Sequence, residues 1–362
     1  MSRTCTVSLF QGPGNGFTSN NFELEPAARG EVLVAVTACA LCRSDLHTIA
    51  GRRPCHTPAV LGHEIVGKVV ETGGPVNDWN GRLLQPSDRV TWTIAASCHE
   101  CFYCRNDLPQ KCEQLVKYGH SEMGPRGPLG GLSTHCRLLP GTSIFTIPAP
   151  LTDQQVVPAN CCTATSVAAV RRAGPIRNAT VLVMGAGSLG VTVAEYSLRE
   201  GAEAVVLVDI DAERLKSAET IAGVTVYHNN PPVDAMPEPL SQLTNGRGAD
   251  IAIDVSGATS AVASALDWLR TGGRAVLVGS VFHSPPLELD TESIVRKMLT
   301  ITGLHNYRPE DLAEALAFLS ELPESARSLS LAGTAFSLSE IDNAVAAADS
   351  NEHLRVVVTP ST

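Results

Sequence analysis

No stretch of the chain supplies the ~20 consecutive apolar residues that a membrane-spanning helix needs, so a membrane partner is not expected. Residues 1–10 lack the basic start and long apolar run of a secretory signal, and a cytoplasmic location is the expectation. Positive charge is in short supply. Lys and Arg number 27 against 37 Asp and Glu, a formal net charge of -10. A phosphate backbone calls for a basic face, so nucleic acid is not expected as a partner. The acidic balance serves solubility instead. Internal repeats and low-complexity tracts are also missing, which leaves an ordinary globular chain.

Cysteine is what the sequence has in quantity: eleven among 362 residues. In a long chain with no secretory signal, cysteines read as metal ligands before disulfides. Cys98, Cys101, Cys104 and Cys112 are spaced C-x2-C-x2-C-x7-C. Zinc favours a tetrahedral shell of sulfurs, and four thiolates leave no open position for a substrate. A structural zinc is therefore expected, holding together a loop too poor in apolar residues to fold alone. An iron–sulfur cluster is the competing ligation. Cys5, Cys39, Cys55 and Cys136 show no patterned partner and are expected as small core residues.

Length and a 44% hydrophobic content suit two domains with a sizeable core. Residues 31–39 and 64–71 alternate like strands, and Gly- and Pro-rich turns punctuate the first half. An irregular β domain is expected up to about residue 150. Around Thr180 the texture changes to short apolar runs (180–184, 204–208, 251–255, 275–278) alternating with helical stretches such as 189–200. That alternation predicts a doubly wound parallel sheet. Asp211 is placed to cap a helix running to about Ala222 and stopping at Gly223. Residues 231–239 read as a Pro-rich surface loop, 309–319 as an amphipathic helix and 353–359 as a closing strand.

Three separated pieces suggest a second metal site: Cys42-Arg43-Ser44-Asp45-Leu46-His47, Gly62-His63-Glu64 and Asn160-Cys161-Cys162-Thr163-Ala164-Thr165. A catalytic zinc takes three protein ligands and keeps a fourth position open. Cys42, His63 and one of Cys161 or Cys162 would supply them. Two thiolates and a neutral imidazole balance the charge of Zn2+, and an open zinc lowers the pKa of an alcohol. Downstream, Gly185-Ala-Gly187-Ser188-Leu189-Gly190 follows a predicted strand and opens a predicted helix. Asp209 ends the next strand about 20 residues on, which completes a dinucleotide fingerprint. Its charge would repel a 2′-phosphate, favouring NAD over NADP, an argument that nearby Arg214 weakens slightly.

Taken together, these pieces resemble the zinc-dependent medium-chain alcohol dehydrogenase family over nearly the whole chain and in the family's order. The resemblance implies a GroES-like catalytic domain at 1–158 and 306–362 and a Rossmann NAD-binding domain at 159–305. It implies Cys161 as the third ligand, Glu64 as a carboxylate near the zinc, and Asp45 as the carboxylate that holds the ligand histidine. It also implies a proton relay through Ser44 and His47, cofactor contacts at Arg43 and Thr165, and a homodimer or homotetramer. Two zinc ions and NAD are the expected cofactors.

Substrate is less constrained. Arg52 and Arg53 precede Gly-His-Glu and are candidates for meeting an anionic group, with plain surface charge as the alternative, and Lys117, His120 and His305-Asn306-Tyr307 are candidates for further polar contacts. The stretches GRRPCHTPAVLGHEIVG, LPQKCEQLVKYGH and PANCCTAT resemble a branch of the family associated with phosphonate breakdown. A small alcohol, a hydroxyalkylphosphonate among the options, is the expected substrate. A polyol- or threonine-type dehydrogenase is the alternative within the family. A zinc hydrolase or a non-catalytic nucleotide-binding protein are the alternatives outside it.

Overall fold

The computed structural model describes residues 3–123, 126–230, 235–282, 284–322, 334–350 and 353–360. The chain divides into two compact units, Met1–Cys161 with Arg308–Thr362, and Cys162–Tyr307.

The first unit is the GroES-like β domain. Its larger sheet runs in spatial order Ile144–Thr146, Arg89–Trp92, Glu64–Thr72, Val32–Leu41, Val356–Thr359 and Thr334–Ser337. Val32–Leu41 is its hub, because its sequence VLVAVTACAL is β-rich and buried along most of its length. Register shifts against Glu64–Thr72, at Leu33/Val34 and Val36/Ala38, bend the hub strand. Bending lets one strand serve two partners beyond Glu64–Thr72: His135–Leu138 pairs with residues 32–35 and Val356–Thr359 with residues 39–41. A three-stranded antiparallel sheet of Phe17–Leu24, Arg3–Phe10 and Ala59–Val60 contributes to the same core, with Leu33, Leu61, Ile65, Trp92 and Leu132 fully buried. Each such aliphatic side chain contributes about 1.5–3 kcal/mol of burial energy.

Register decides where the chemistry goes. Ala40 lies opposite Glu64, and Leu41 lies opposite Val356. Cys42, His63 and Arg355 are each within a residue or two of those pairs, so three strand ends meet at one end of the sheet. The helix Pro309–Glu321 also belongs to this unit, with Pro309 in its first turn and the Asp311 carboxylate accepting the Arg308 N–H at 2.8 Å.

The second unit is a Rossmann-like parallel sheet of six strands, in order Val224–His228, Ala204–Asp209, Thr180–Met184, Ala249–Asp254, Leu269–Leu277 and Thr300–Gly303. Counting along the chain, that order is 3-2-1-4-5-6, the doubly wound arrangement of dinucleotide folds. The central strand TVLVM is buried at every position, as a strand covered on both faces must be.

Several elements differ from the sequence expectation. The helix capped by Asp211 ends at Lys216, not near Ala222. Beyond it the Ser217 hydroxyl turns back on the Arg214 carbonyl at 3.1 Å, and the next backbone bonds span three residues rather than four. The strand expected at 275–278 begins at Leu269. Val224–His228 and Thr300–Gly303 carry no apolar run because they are the sheet's edges. Of the Pro-rich stretch 231–239, residues 231–234 lie outside the described residues, and a helix, Glu238–Thr244, starts within the remainder. Cys5, Cys39 and Cys136 are fully buried, whereas Cys55 is half-buried. Among the described residues no helix is long and apolar enough to cross a membrane.

Candidate functional site

Cys42, His63 and Cys161 bring their donor atoms within 4.8 Å of one another. Each is placed by a different device. Cys42 immediately precedes the helix Arg43–Ile49. His63 follows Gly62, whose φ of +84° suits glycine and where a Cβ would meet the Cys39 sulfur at 2.5 Å. Cys161 sits in a wide helical turn, Ala159–Thr163, of the kind found at functional sites. The buried Asn160 ties that turn to the histidine strand: its amide donates to the His63 carbonyl at 3.1 Å, and its oxygen accepts the Ile65 N–H at 3.3 Å. Cys162 faces away, with its sulfur 3.9 Å from the Thr192 hydroxyl.

Asp45 lies fully buried behind the histidine. One of its oxygens accepts from His63 Nδ1 at 3.2 Å and the other accepts the Cys42 N–H at 3.0 Å. An ionised carboxylate only accepts, so Nδ1 keeps its proton, and a metal would have to displace the Nε2 proton to take the lone pair beside the sulfurs. Burial opposes charge on Asp45, but His63 holds its carboxyl below the ordinary range. Burial likewise opposes a charged His63, yet Asp45 and Cys42 outweigh it and carry the imidazole up to about 10. A hydrogen bond from the Cys161 thiol pulls Cys42 well below its usual value, and the same bond pushes Cys161 up. Two sulfurs sharing one proton beside an oriented imidazole are a donor set that fits Zn2+.

Glu64 is fully buried and paired with Arg355. Burial drives its carboxyl up to about 7 against the pull of Arg355, and its Oε1 accepts no hydrogen bond among the described residues. Arg355 drew no attention in the sequence, where it is one charge in a closing strand. Ser44 Oγ lies 3.3 Å from His63 Nε2. His47, half-buried, accepts from Arg52 Nε at Nδ1 over 2.8 Å. Burial, then Arg52 and Arg43, lower its pKa, so the ring is neutral at pH 7. Arg43 reaches Asp349 at 3.5 Å in an exposed pair of little energetic weight. The two adjacent arginines diverge: Arg52 turns to His47, while Arg53 Nη1 donates to His120 Nε2 at 3.0 Å.

The four cysteines of the lobe also gather, with sulfurs within 4.8 Å of one another. Backbone N–H groups point at them: Cys101 N at Cys98 (3.3 Å), Cys98 N and Gln114 N at Cys112 (3.2 and 3.3 Å), and Glu113 N at Cys101 (3.5 Å). Such donors stabilise thiolates, which is the form a metal needs.

In the second unit the glycine-rich turn joins the strand Thr180–Met184 to the helix Ser188–Arg199. Gly185 has φ of +107°, and a Cβ at Gly190 would strike the Gly185 carbonyl oxygen at 1.8 Å. A Cβ at Gly187 would meet nothing within 4 Å, so no neighbour in the chain requires glycine there. A glycine there leaves the space that a pyrophosphate approaching the turn would need. Asp209 ends its strand and holds the turn, accepting Ala186 N–H at 2.6 Å and Asp211 N–H at 2.9 Å. Arg214 pairs with Asp211 at 3.5 Å. Ser188 and Leu189 open the helix, the Leu189 carbonyl accepting the Ser166 hydroxyl at 3.3 Å. Thr165 lies half-buried on the helix Ala164–Arg172, and His305 in the loop after Thr300–Gly303.

Comparison with known proteins agrees with this geometry. Residues 28–149 match the alcohol dehydrogenase GroES-like domain, and residues 188–321 match the zinc-binding dehydrogenase domain. A sorbitol dehydrogenase from Halalkalibacterium halodurans is 28% identical over 96% of this chain and 97% of its own. An alcohol dehydrogenase from Geobacillus stearothermophilus is 31% identical over 81% of this chain and 82% of its own. The crystal structure of an alcohol dehydrogenase from Thermotoga maritima superposes with a TM-score of 0.93 at 26% identity, covering 99% of this chain and 100% of that one.

Proposed function

The chain belongs to the zinc-dependent medium-chain alcohol dehydrogenase family, oxidoreductases acting on CH–OH groups, and from that premise we propose that it passes a hydride from a small alcohol to NAD+, releasing a carbonyl compound and a proton. The observation that carries the reading is the Cys42–His63–Cys161 cluster with Asp45 behind its imidazole. Zinc held there supplies Lewis acidity toward a substrate oxygen.

The chain's own groups handle the proton. Ser44 Oγ sits against the cluster and is suited to take it from the carbinol oxygen. His47, three residues on and so on the same helical face, is kept neutral by burial and by Arg52, and its Nδ1 is able to accept the proton once the hydrogen bond from Arg52 Nε gives way. Its half-exposed ring hands the proton to water. Asp45 keeps the His63 lone pair aimed inward throughout, and the Arg355–Glu64 pair braces the strand end that carries His63. NAD is favoured over NADP because the charge of Asp209, at the end of the second strand, would repel a 2′-phosphate.

The substrate range we propose is a small hydroxy compound, with hydroxyalkylphosphonates among the candidates. Polyols are a second reading, favoured by near full-length similarity to a sorbitol dehydrogenase. Eleven cysteines without a disulfide among them suit a reducing, cytoplasmic setting. A homodimer or homotetramer goes with the family reading, and light scattering tests it. The decisive experiment pairs metal analysis with a substrate screen followed at the absorbance of reduced nicotinamide. Two zinc ions per chain and NAD+-dependent oxidation of an alcohol are expected. One zinc per chain, or no reduction of NAD+ by any alcohol, overturns the reading.

A further inference from the structure

We propose that Arg53, Lys117 and His120 form a receptor for an oxyanion carried by the alcohol substrate, so that the preferred substrates are hydroxy compounds bearing a phosphate, phosphonate or carboxylate. The inference rests on the dehydrogenase reading and names the substrate class of the same site.

His120 is positioned by the turn that carries it. Gly119 has φ of +70°, and a Cβ there would meet the Gly62 carbonyl oxygen at 2.5 Å and the His63 Cβ at 3.0 Å. Glycine thus lets this turn lie directly on the ligand turn. The His120 and His63 rings consequently face one another, with centroids 4.8 Å apart. Arginine only donates, so His120 Nε2 must accept from Arg53 Nη1 at 3.0 Å. The ring proton is then on Nδ1, which donates to the Tyr118 carbonyl at 3.0 Å. His120 is a neutral bracket that aims the Arg53 guanidinium beside the catalytic cluster.

Lys117 opens the same turn from the strand Val116–Lys117. It is half-buried, and its ammonium meets no carboxylate and no hydrogen-bond acceptor among the described residues. Arg53 likewise has no carboxylate partner among them. The two cations sense each other: burial and then Arg53 bring Lys117 down to about 8, against the pull of the Cys161 and Cys42 sulfurs. His120, whose Nε2 accepts from Arg53 while Nδ1 donates to the Tyr118 carbonyl, adds no third charge. Of the negative groups nearby, Cys42 and Cys161 would be matched by a bound zinc, and Asp45 is fully buried on His63. Glu64 is matched by Arg355.

A pair of half-buried like charges with no counter-charge is unfavourable unless a ligand brings one. Both cations lie beside the reacting centre, and Arg53 keeps most of its planar fork of N–H donors for an oxyanion. Arg52, its neighbour in sequence, is exposed and directed at His47, and is no part of the receptor.

The test compares kcat/KM for 2-hydroxyethylphosphonate, glycerol 3-phosphate and 3-hydroxypropionate with that for neutral propane-1,3-diol, using zinc-loaded enzyme and NAD+. At least one anionic compound is expected to exceed the diol by about 30-fold or more, given the worth of charge-assisted hydrogen bonds. The three anions separate phosphate, phosphonate and carboxylate sources. In Lys117→Gln and Arg53→Gln the anionic-to-neutral ratio is expected to fall about 10- to 100-fold. Inorganic phosphate should raise the melting temperature of the parent enzyme and not that of Lys117→Gln, a readout independent of turnover. Oxidation of the diol with no preference for any anion, or variants that leave the ratio unchanged, overturns the receptor while leaving the dehydrogenase standing. Failure to reduce NAD+ with any substrate overturns the dehydrogenase reading, while phosphate stabilisation still reports on the receptor.

Discussion

Replacing Asp45 with asparagine keeps the shape of the side chain and removes one of its two roles. The carboxylate now accepts from His63 Nδ1 at 3.2 Å and from the Cys42 N–H at 3.0 Å, wholly shielded from water. An amide has one oxygen for these two donors. If it keeps the oxygen on His63, its NH2 confronts the Cys42 N–H, and a buried donor left unsatisfied costs about 1–3 kcal/mol. If it flips, the imidazole must move its proton to Nε2, and the lone pair that faces the sulfurs is gone. Either outcome weakens zinc, and a loss of about 10- to 100-fold in affinity is expected for such a partner, or roughly 1.4–2.7 kcal/mol. The four-cysteine site is an internal control, because the hydrogen bonds of Asp45 go to Cys42, Gly62 and His63 and not to that lobe. Titration with a graded chelator, followed by metal analysis, should show one zinc leaving Asp45→Asn at much lower chelator than the parent while the other is unchanged. The rate with alcohol should fall in step. A chelator midpoint within twofold of the parent would refute the claim that Asp45 fixes the tautomer of the ligand.

Other expectations follow from the same coordinates. Cys112→Ser should reduce zinc from two to one per chain and lower the melting temperature by about 5 °C or more, because metal binding supplies folding energy to such loops; unchanged metal content would contradict a four-sulfur site. Asp209→Ser should raise the KM for NAD+ about tenfold and narrow the preference over NADP+, as steady-state kinetics with both cofactors will report. Glu195, buried on the helix Ser188–Arg199, has its carboxyl pushed by burial up to about 7 from 4.5. A folded value above the unfolded one means stability is fully present below about pH 4.5 and lost as pH rises through 7, so Glu195→Gln should gain up to about 3 kcal/mol at pH 8 and little at pH 4.5. Chemical denaturation at the two pH values checks this, and a gain independent of pH would refute it.

Legibility in the sequence followed the distance over which each feature is specified. The lobe is written within fifteen residues, so its spacing alone gathers four sulfurs. The glycine turn and Asp209 are equally local, each belonging to a strand–helix–strand unit. The Cys42–His63–Cys161 cluster is not local, and only the resemblance to a family could choose Cys161 over Cys162. What makes the choice physically is Asn160, whose amide bridges to residues 63 and 65. Arg355 was invisible because it lies 291 positions from Glu64. Only the antiparallel register of Val356–Thr359 on the hub strand brings the two together. The edge strands Val224–His228 and Thr300–Gly303 escaped detection for a different reason, since half-exposed strands need no apolar run. Arg52 and Arg53 looked equivalent in sequence and are separated by side-chain direction, which a linear pattern does not encode.

The strand Val356–Thr359 lies beside the hub strand, yet it is made only after the whole second unit. A ribosome releases Cys42 and His63 early, and the intervening unit, which is contiguous, has all six of its strands by the time residue 307 has emerged. It can fold while the first unit is still missing a member of its larger sheet and the arginine that meets Glu64. The Glu64–Arg355 pair beside the metal ligands therefore forms only after the second unit has been made, and the sulfurs must stay reduced through that interval.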